Sequence, residues 1–244
     1  MSDTHRRIPW ARLGLELAVI VGGILLALAI ESWWQGLADR RLAEQYLIAL
    51  ESDLRSDLEA YRENFYPRIE GKLAALEEVA PVVRGDAPVP SDTMAFLRSV
   101  GLGGLAGIPG STDLSVTTTF DEMVATGALS LIEDIELRAA LVDFYARTAS
   151  LEARFVSLMP NYPLFVHGFT PAELRDDGTE ADQRAFGFAR AVEAFRSPEF
   201  QEIHGREYNY ALYIQRQVGT VERDVMELWE QVRCVRGVAE ACKD

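Results

Sequence analysis

Apolar residues follow two different patterns along this chain, and the change from one to the other divides it. From Leu17 to Ile30 they run almost unbroken, as LAVIVGGILLALAI, with neither a charge nor a proline. Apolar character extends outward to Trp10 and Trp34, and three of the four tryptophans (Trp10, Trp33, Trp34) bracket the run. Trp10 and Trp33 stand 23 positions apart, about 35 Å of helix at 1.5 Å per residue. That length crosses a hydrocarbon core of roughly 30 Å with an aromatic ring at each interface. The run predicts a single transmembrane helix over residues 13–34, with these three tryptophans as interfacial anchors.

Past Gln35 the pattern turns periodic. Leu47, Leu50, Leu54, Leu58, Tyr61 and Phe65 step by three or four, with Arg55, Asp57, Glu59 and Arg62 between them. This spacing predicts an amphipathic helix continuing from the span, bending near Gly36 and interrupted by Pro67. A second piece through Ile69, Leu73, Leu76 and Val79 reaches Pro81. Gly85 to Pro90 reads as a linker, after which Ser91 or Asp92 caps a short helix through Met94, Phe96 and Leu97. Residues 101–116, GLGGLAGIPGSTDLSV, read as an irregular surface loop. Their glycines match neither the dinucleotide-binding GxGxxG nor a Walker sequence ending in Lys.

Thr118 or Thr119 then caps a helix through Met123 and Val124 that Gly127 ends. Leu131, Ile132, Ile135, Leu137, Leu141, Phe144 and Tyr145 open a long helix reaching about Pro160. Thr170-Pro171 and Ser197-Pro198 each set a capping residue before a proline, a helix-start signature. The last segment, from Pro198 to about Arg236, holds Tyr210, Ile214, Val218, Val221, Val225, Leu228 and Trp229 at helical spacing. No stretch alternates with the period of a strand. The expected fold class is all-α: one N-terminal transmembrane helix followed by an extramembrane bundle of long helices.

Charge adds an orientation. Arg6, Arg7 and Arg12 balance Asp3, Glu16 and Glu31 within the first 34 positions, so the whole net charge of −14 lies beyond the span. Three arginines precede the span, while Arg40 and Arg41 follow it closely, which favours a cytoplasmic N-terminus. The chain therefore divides into a short basic cytoplasmic tail (1–12), the span (13–34) and an acidic helical domain outside the cytoplasm (35–244). A cleaved signal peptide is the rival reading of the basic start. Ala27-Leu28-Ala29 is only a loose cleavage site, however, and the helical pattern runs directly past it. The lipid bilayer is one expected partner, and the acidic balance excludes nucleic acid, whose phosphates need clustered Lys and Arg.

Two stretches are similar to an uncharacterised bacterial family known only as a domain of unknown function. The first runs from Glu16-Leu17 through Gly23-Ile24-Leu25-Leu26-Ala27-Leu28 to Trp33, then Tyr46-Leu47, Leu50 and Asp53-Leu54. The second is Phe120-Asp121-Glu122-Met123, Gly127, Leu129, Leu131-Ile132, Leu137-Arg138, Leu141 and Phe144-Tyr145. Similar proteins often carry Asn where this chain has Glu31 and Ser32. The resemblance implies one N-terminal membrane helix and a helical domain, and it implies no activity.

No catalytic motif stands out. His5, His167 and His204 are the only histidines, and none has ligand-type neighbours at a recurring metal spacing, so neither metal nor cofactor is expected. His204 and Glu207 would be neighbours on a helix, and their bland reading is a solvated face. Ser111, Ser115 and Ser130 lack a nucleophile-elbow sequence. The acidic pairs Asp176-Asp177 and Glu133-Asp134 fit turns or helix starts. Two cysteines exclude a disulfide scaffold and a Cys-based zinc site. A Cys234–Cys242 bridge needs the last helix to stop near Arg236, with Gly237 turning the chain back.

Within the span, Gly14, Ala18 and Gly22 recur every four residues, Gly23 with Ala27 repeats the spacing, and Glu16 lies beside them. Small residues permit close helix approach in lipid, so these six form an expected contact face toward another subunit or a second copy. The expected function is that of a non-enzymatic accessory or structural subunit of a larger membrane complex, respiratory or photosynthetic assemblies being examples. The alternative is a membrane-tethered periplasmic sensor or ligand-binding module, with a pocket lined by Tyr208, Tyr210, Tyr213, Phe186 or Phe188. The expected location is the bacterial inner membrane, single-pass, with the main domain periplasmic.

Overall fold

A computed structural model describes residues 10–105, 114–159, 161–169 and 190–238. Every regular element among them is helical, as the absence of alternation requires. Helix α1 (Trp10–Ala60) passes through Gly36 without a break, so one helix carries both the apolar run and the start of the amphipathic stripe. A π-helical turn (Tyr61–Phe65) joins it to α2 (Tyr66–Arg84).

Pro67 does not interrupt this helix. Proline lacks an N–H and its ring crowds the carbonyl four residues back, and the wider turn just before it accommodates both. The Tyr66 N–H donates to the Tyr61 carbonyl, five residues back instead of four. A π turn takes up one extra residue, and the buried stripe records that. Leu47, Leu50, Leu54, Asp57 and Tyr61 are buried at alternating steps of three and four. Phe65, Ile69, Lys72, Leu76, Val79 and Val83 continue it, displaced by one position. Without the insertion, the second set would rotate off the packing face. Pro81 likewise lies inside α2, whose end at Gly85 leaves the Pro81 carbonyl to accept the Asp86 and Ala87 N–H groups at 2.8 and 3.1 Å.

Helix α3 (Thr93–Leu105) is capped by Asp92, whose Oδ1 accepts the Ala95 N–H at 2.9 Å. It extends through Gly101, Gly103 and Gly104, which were expected to lie in a loop, while residues 106–113 of that stretch lie outside the described residues. Gly103 is buried where a Cβ would lie 2.8 Å from Leu76 Cδ2 and 3.1 Å from the Tyr162 hydroxyl, so close packing against α2 selects glycine there. Helix α4 (Thr118–Thr126) takes Thr117 as its N-cap residue and ends at Gly127. A 3-10 turn (Ala128–Leu131) and an extended Ile132 delay α5 (Ile135–Leu158), so Leu131 and Ile132 precede the helix they were expected to open. Asp134 caps α5 by accepting the Leu137 N–H at 2.9 Å. Helix α6 (Tyr162–Phe169) follows. Thr170-Pro171 lies outside the described residues.

The final helix α7 (Pro198–Val235) is capped by Ser197, whose Oγ accepts the Phe200 N–H at 3.2 Å. It packs on α1, α2 and α5, and α3 packs on α2 and α6, around a shared hydrophobic core. Pairings such as Glu44–Arg236, Tyr66–Glu222 and Glu77–Tyr208 show that α7 runs antiparallel to α1 and α2. Its buried side also steps by four and three, from Phe200 through His204, Glu207, Ala211, Ile214, Val218, Val221, Val225 and Leu228 to Val232. A 3.5-residue spacing on both partners is the pattern of long helices packed side by side.

Candidate functional site

Three places in the molecule hold groups that ordinary folding leaves unexplained. The first is the start of α1, which by length and composition can cross a membrane. From Ile20 to Trp34 every residue is exposed, and Leu25, Leu26 and Trp33 keep 60%, 63% and 68% of their surface. Of the expected contact face, Gly22 and Gly23 have no neighbour within 4 Å of a built Cβ, and Ala27 is exposed. Gly14, Glu16, Ala18 and Trp10 lie in the helical backbone of α1, and their side chains are outside the described residues. At the far end of the run the Gln35 amide donates to Glu31 Oε1 at 3.4 Å.

The stalk that follows is tied to the domain by polar pairs. Arg40 meets Glu133 at 3.7 Å, Tyr46 donates to Glu122 at 3.1 Å, and Arg236 binds Glu44 at 3.1 Å and also Glu51. Arg233 stacks over the Trp229 ring at 4.5 Å. The chain then turns back at Gly237, whose φ of +72° is a conformation open to glycine, with its N–H on the Cys234 carbonyl at 2.8 Å. The helix stops where a bridge requires it to stop. Cys234 is disulfide-bonded, and Cys242, the chain's other cysteine, lies outside the described residues.

The second place is an ion pair in the core. Lys72 of α2 and Glu207 of α7, 1% and 0% exposed, face each other with Nζ against Oε1. Their remaining hydrogen-bonding capacity has no partner among the described residues. Burial raises the Glu207 carboxyl above its ordinary range, against the pull of Lys72. One turn earlier, His204 Nε2 donates to the Leu76 carbonyl at 3.0 Å, and burial lowers its pKa and keeps the ring neutral. The expected solvated face for His204 and Glu207 is therefore wrong. Both sit on the seam of α7, facing α2.

The third place is the segment that begins at Leu114, where Leu114 and Val116 are held by side chains from α1, the π turn and α5. The Leu114 N–H donates to Glu152, and the Val116 N–H donates to Asp57 Oδ1 at 2.9 Å. The Leu114 carbonyl accepts the Tyr61 hydroxyl, and the Val116 carbonyl accepts that of Tyr145 at 3.3 Å. Two carboxylates thus take both N–H groups and two phenols supply both carbonyls. The π turn places Tyr61 for this. Asp57 is 5% exposed and Ser115 7%, and Asp57 Oδ2, Asp53 Oδ2 and Ser115 Oγ are buried without partners. Burial, then the nearby Asp53 charge, lifts the Asp57 carboxyl to about 7, against the lowering effect of the Val116 N–H.

The tyrosines expected to line one pocket are spread out. Tyr208 donates to Glu77 at 2.7 Å, Tyr210 to the Phe155 carbonyl at 2.7 Å, and Tyr213 sets its ring edge against Phe155. Only Tyr210 of the three borders the hollow of about 380 Å³ shared with Met159, Asn161 and Arg206. Phe186, Phe188, Ser111 and Asp176-Asp177 are outside the described residues. Ser130 donates to the Gly127 carbonyl at 2.8 Å, a turn contact. Among the described residues no three metal-ligating side chains converge.

Sequence reasoning missed Asp57, Lys72 and the burial of Glu207, although a signal existed. Carrying the alternating steps of four and three back from Tyr210 and Ala211 reaches Glu207, His204 and Phe200. The same steps from Leu47 reach Asp57. No family model, curated protein or solved structure matches the chain.

Proposed function

We propose that this chain is a single-pass, membrane-anchored helical protein that acts through protein–protein contacts, as a non-catalytic accessory or structural subunit of a larger membrane complex. The observation supporting this reading is that α1 is bare and apolar from Ile20 to Trp34, then continues unbroken into the core of a folded domain. Exposed apolar surface on that scale marks a lipid or protein contact, and the helix that carries it is long and apolar enough to cross a bilayer. The extramembrane helices form a bundle held to the stalk by Arg40, Tyr46 and Arg236. In this proposal the N-terminus is cytoplasmic, the acidic domain is periplasmic in a bacterial inner membrane, and the resemblance to the uncharacterised membrane family holds.

Gentle detergent extraction followed by mass spectrometry of co-purifying proteins tests the reading. A reproducible membrane partner, or a second copy, is the expected result. Recovery of the full chain in the soluble fraction without detergent overturns the anchor, and recovery as a detergent-bound monomer overturns the subunit role. Protease added outside spheroplasts should remove the domain and leave a short N-terminal tag protected; protection of the whole chain reverses the orientation.

A further inference from the structure

The Leu114–Val116 segment is fastened by a set of groups unlike any other among the described residues. A backbone stretch that crosses other helices must satisfy its polar groups individually, and here carboxylates do so for the Leu114 and Val116 N–H groups. Asp57 carries the most strain of the set. It lies on the seam of α1, four residues from Asp53, and each of the two keeps a buried oxygen without a partner. Among the described residues the groups facing this region are acidic or phenolic: Asp53 on α1, Tyr61 on the π turn, Tyr145 and Glu152 on α5, Asp121 on α4 and Glu222 on α7. Arg62, the cation on this flank, is engaged by Glu222 at 3.5 Å.

A buried carboxylate without a counter-charge is relieved by a metal ion or by a proton. Among the described residues the side chains do not converge as metal ligands, and a proton relieves the charge with the groups that are present. We propose that Asp57 is a proton-operated latch: its neutral carboxyl holds Leu114–Val116 against α1 and α5, and its ionisation beside Asp53 loosens that hold. The neutral form still accepts the Val116 N–H on Oδ1, while its Oδ2–H becomes a donor beside Asp53, whose own Oδ2 is a buried acceptor. The ionised form sets a buried charge beside that of the half-buried Asp53, and lifting the segment admits water to Asp57.

The direction follows from linkage. Asp57 titrates near 7 with the segment closed and near 3.9 when exposed to water. Closure is therefore most favourable in acid, weakens as pH rises from about 4, and levels off above about 7. Hydrogen exchange on the full chain in detergent or nanodiscs reads this at the Leu114 and Val116 amides, after correction for intrinsic exchange. Their protection should fall about 45-fold from pH 5 to pH 7 and only about twofold more by pH 8.5. Asp57→Asn keeps the acceptor and cannot ionise, so its protection should stay level across that range. Core amides of α7, such as Val218 and Val225, should not follow the same profile. Equal wild-type protection at pH 5 and pH 7 overturns the latch, as does an Asp57→Asn profile as steep as wild type. Asp53→Asn provides an independent reading: removing the neighbouring charge should move the profile's upper limit to lower pH. An unshifted limit also counts against the proposal.

Discussion

The two buried polar centres of this protein solve the same problem in opposite ways. At Lys72–Glu207, α2 and α7 each contribute a charge to the seam, and the opposite signs face each other. At Asp53–Asp57 a single helix contributes two carboxyl groups, and the group opposing Asp57 is one backbone N–H, that of Val116. The first arrangement matches two helices to each other, because sliding either one along the seam leaves a lone charge in the core. The second fastens a non-helical strap, and its strength depends on a proton. The difference separates a fixed joint from an adjustable one.

The largest break in this comparison should come from Glu207→Ala. Leaving Lys72 unpaired in the core should cost about 3–5 kcal/mol, measured by chemical denaturation in detergent. The double replacement Lys72→Met with Glu207→Leu should recover most of that loss or exceed wild type, since apolar substitutes for a buried pair are often neutral or better. A double variant as unstable as Glu207→Ala would mean that the pair contributes more than seam matching.

A smaller effect should separate the centres by pH. The raised Asp57 pKa makes its contribution to stability greatest in acid and lost as pH climbs from about 4 through about 7, by at most about 4 kcal/mol. His204 works in the other direction: a ring held neutral costs stability once pH falls below about 6.5. The net wild-type profile therefore mixes these with Glu207, whose raised carboxyl acts in the same direction as Asp57, whereas the difference between wild type and Asp57→Asn isolates the latch. That difference should favour the variant increasingly up to about pH 7 and then remain constant. A pH-independent difference would contradict it.

The smallest stability effect belongs to the bare end of α1. Gly22→Leu meets no protein atom, so domain stability should change by less than about 0.5 kcal/mol. Recovery of a co-purifying partner should nevertheless fall, while Leu26→Ala on another face leaves it unchanged. Equal recovery with Gly14→Leu, Gly22→Leu and Glu16→Gln would reduce the span to an anchor.

Much of this was legible in the sequence, and the failures have physical reasons. The stripe from Leu47 to Phe65, the stop at Gly237 and the caps at Asp92 and Ser197 follow from period and capping chemistry, which are local. Pro67 misled because its local rule is strict while the remedy, a π turn, has no sequence signature of its own. Gly101 to Leu105 misled because glycine's weak helix propensity is overridden when α3 must lie close to Leu76 and Tyr162. Asp57, Lys72 and Glu207 hid among residues taken for the wet face, because a charge at a seam position reads as a gap in the stripe until its partner on another helix is known.

The unbroken joint at Pro67 has a mechanical consequence. From Trp34 to Arg84 the helix extends about 75 Å at 1.5 Å per residue, with no loop in between to absorb a change of direction. Membrane helices commonly lean by about 20°, and a lean of that size at the anchor swings Arg84 sideways by about 25 Å. Whatever packs against the small residues near Gly22, and so sets the lean, also aims the far end of the domain. A partner that never leaves the bilayer would thus select which neighbour, seven nanometres away, the tip can touch.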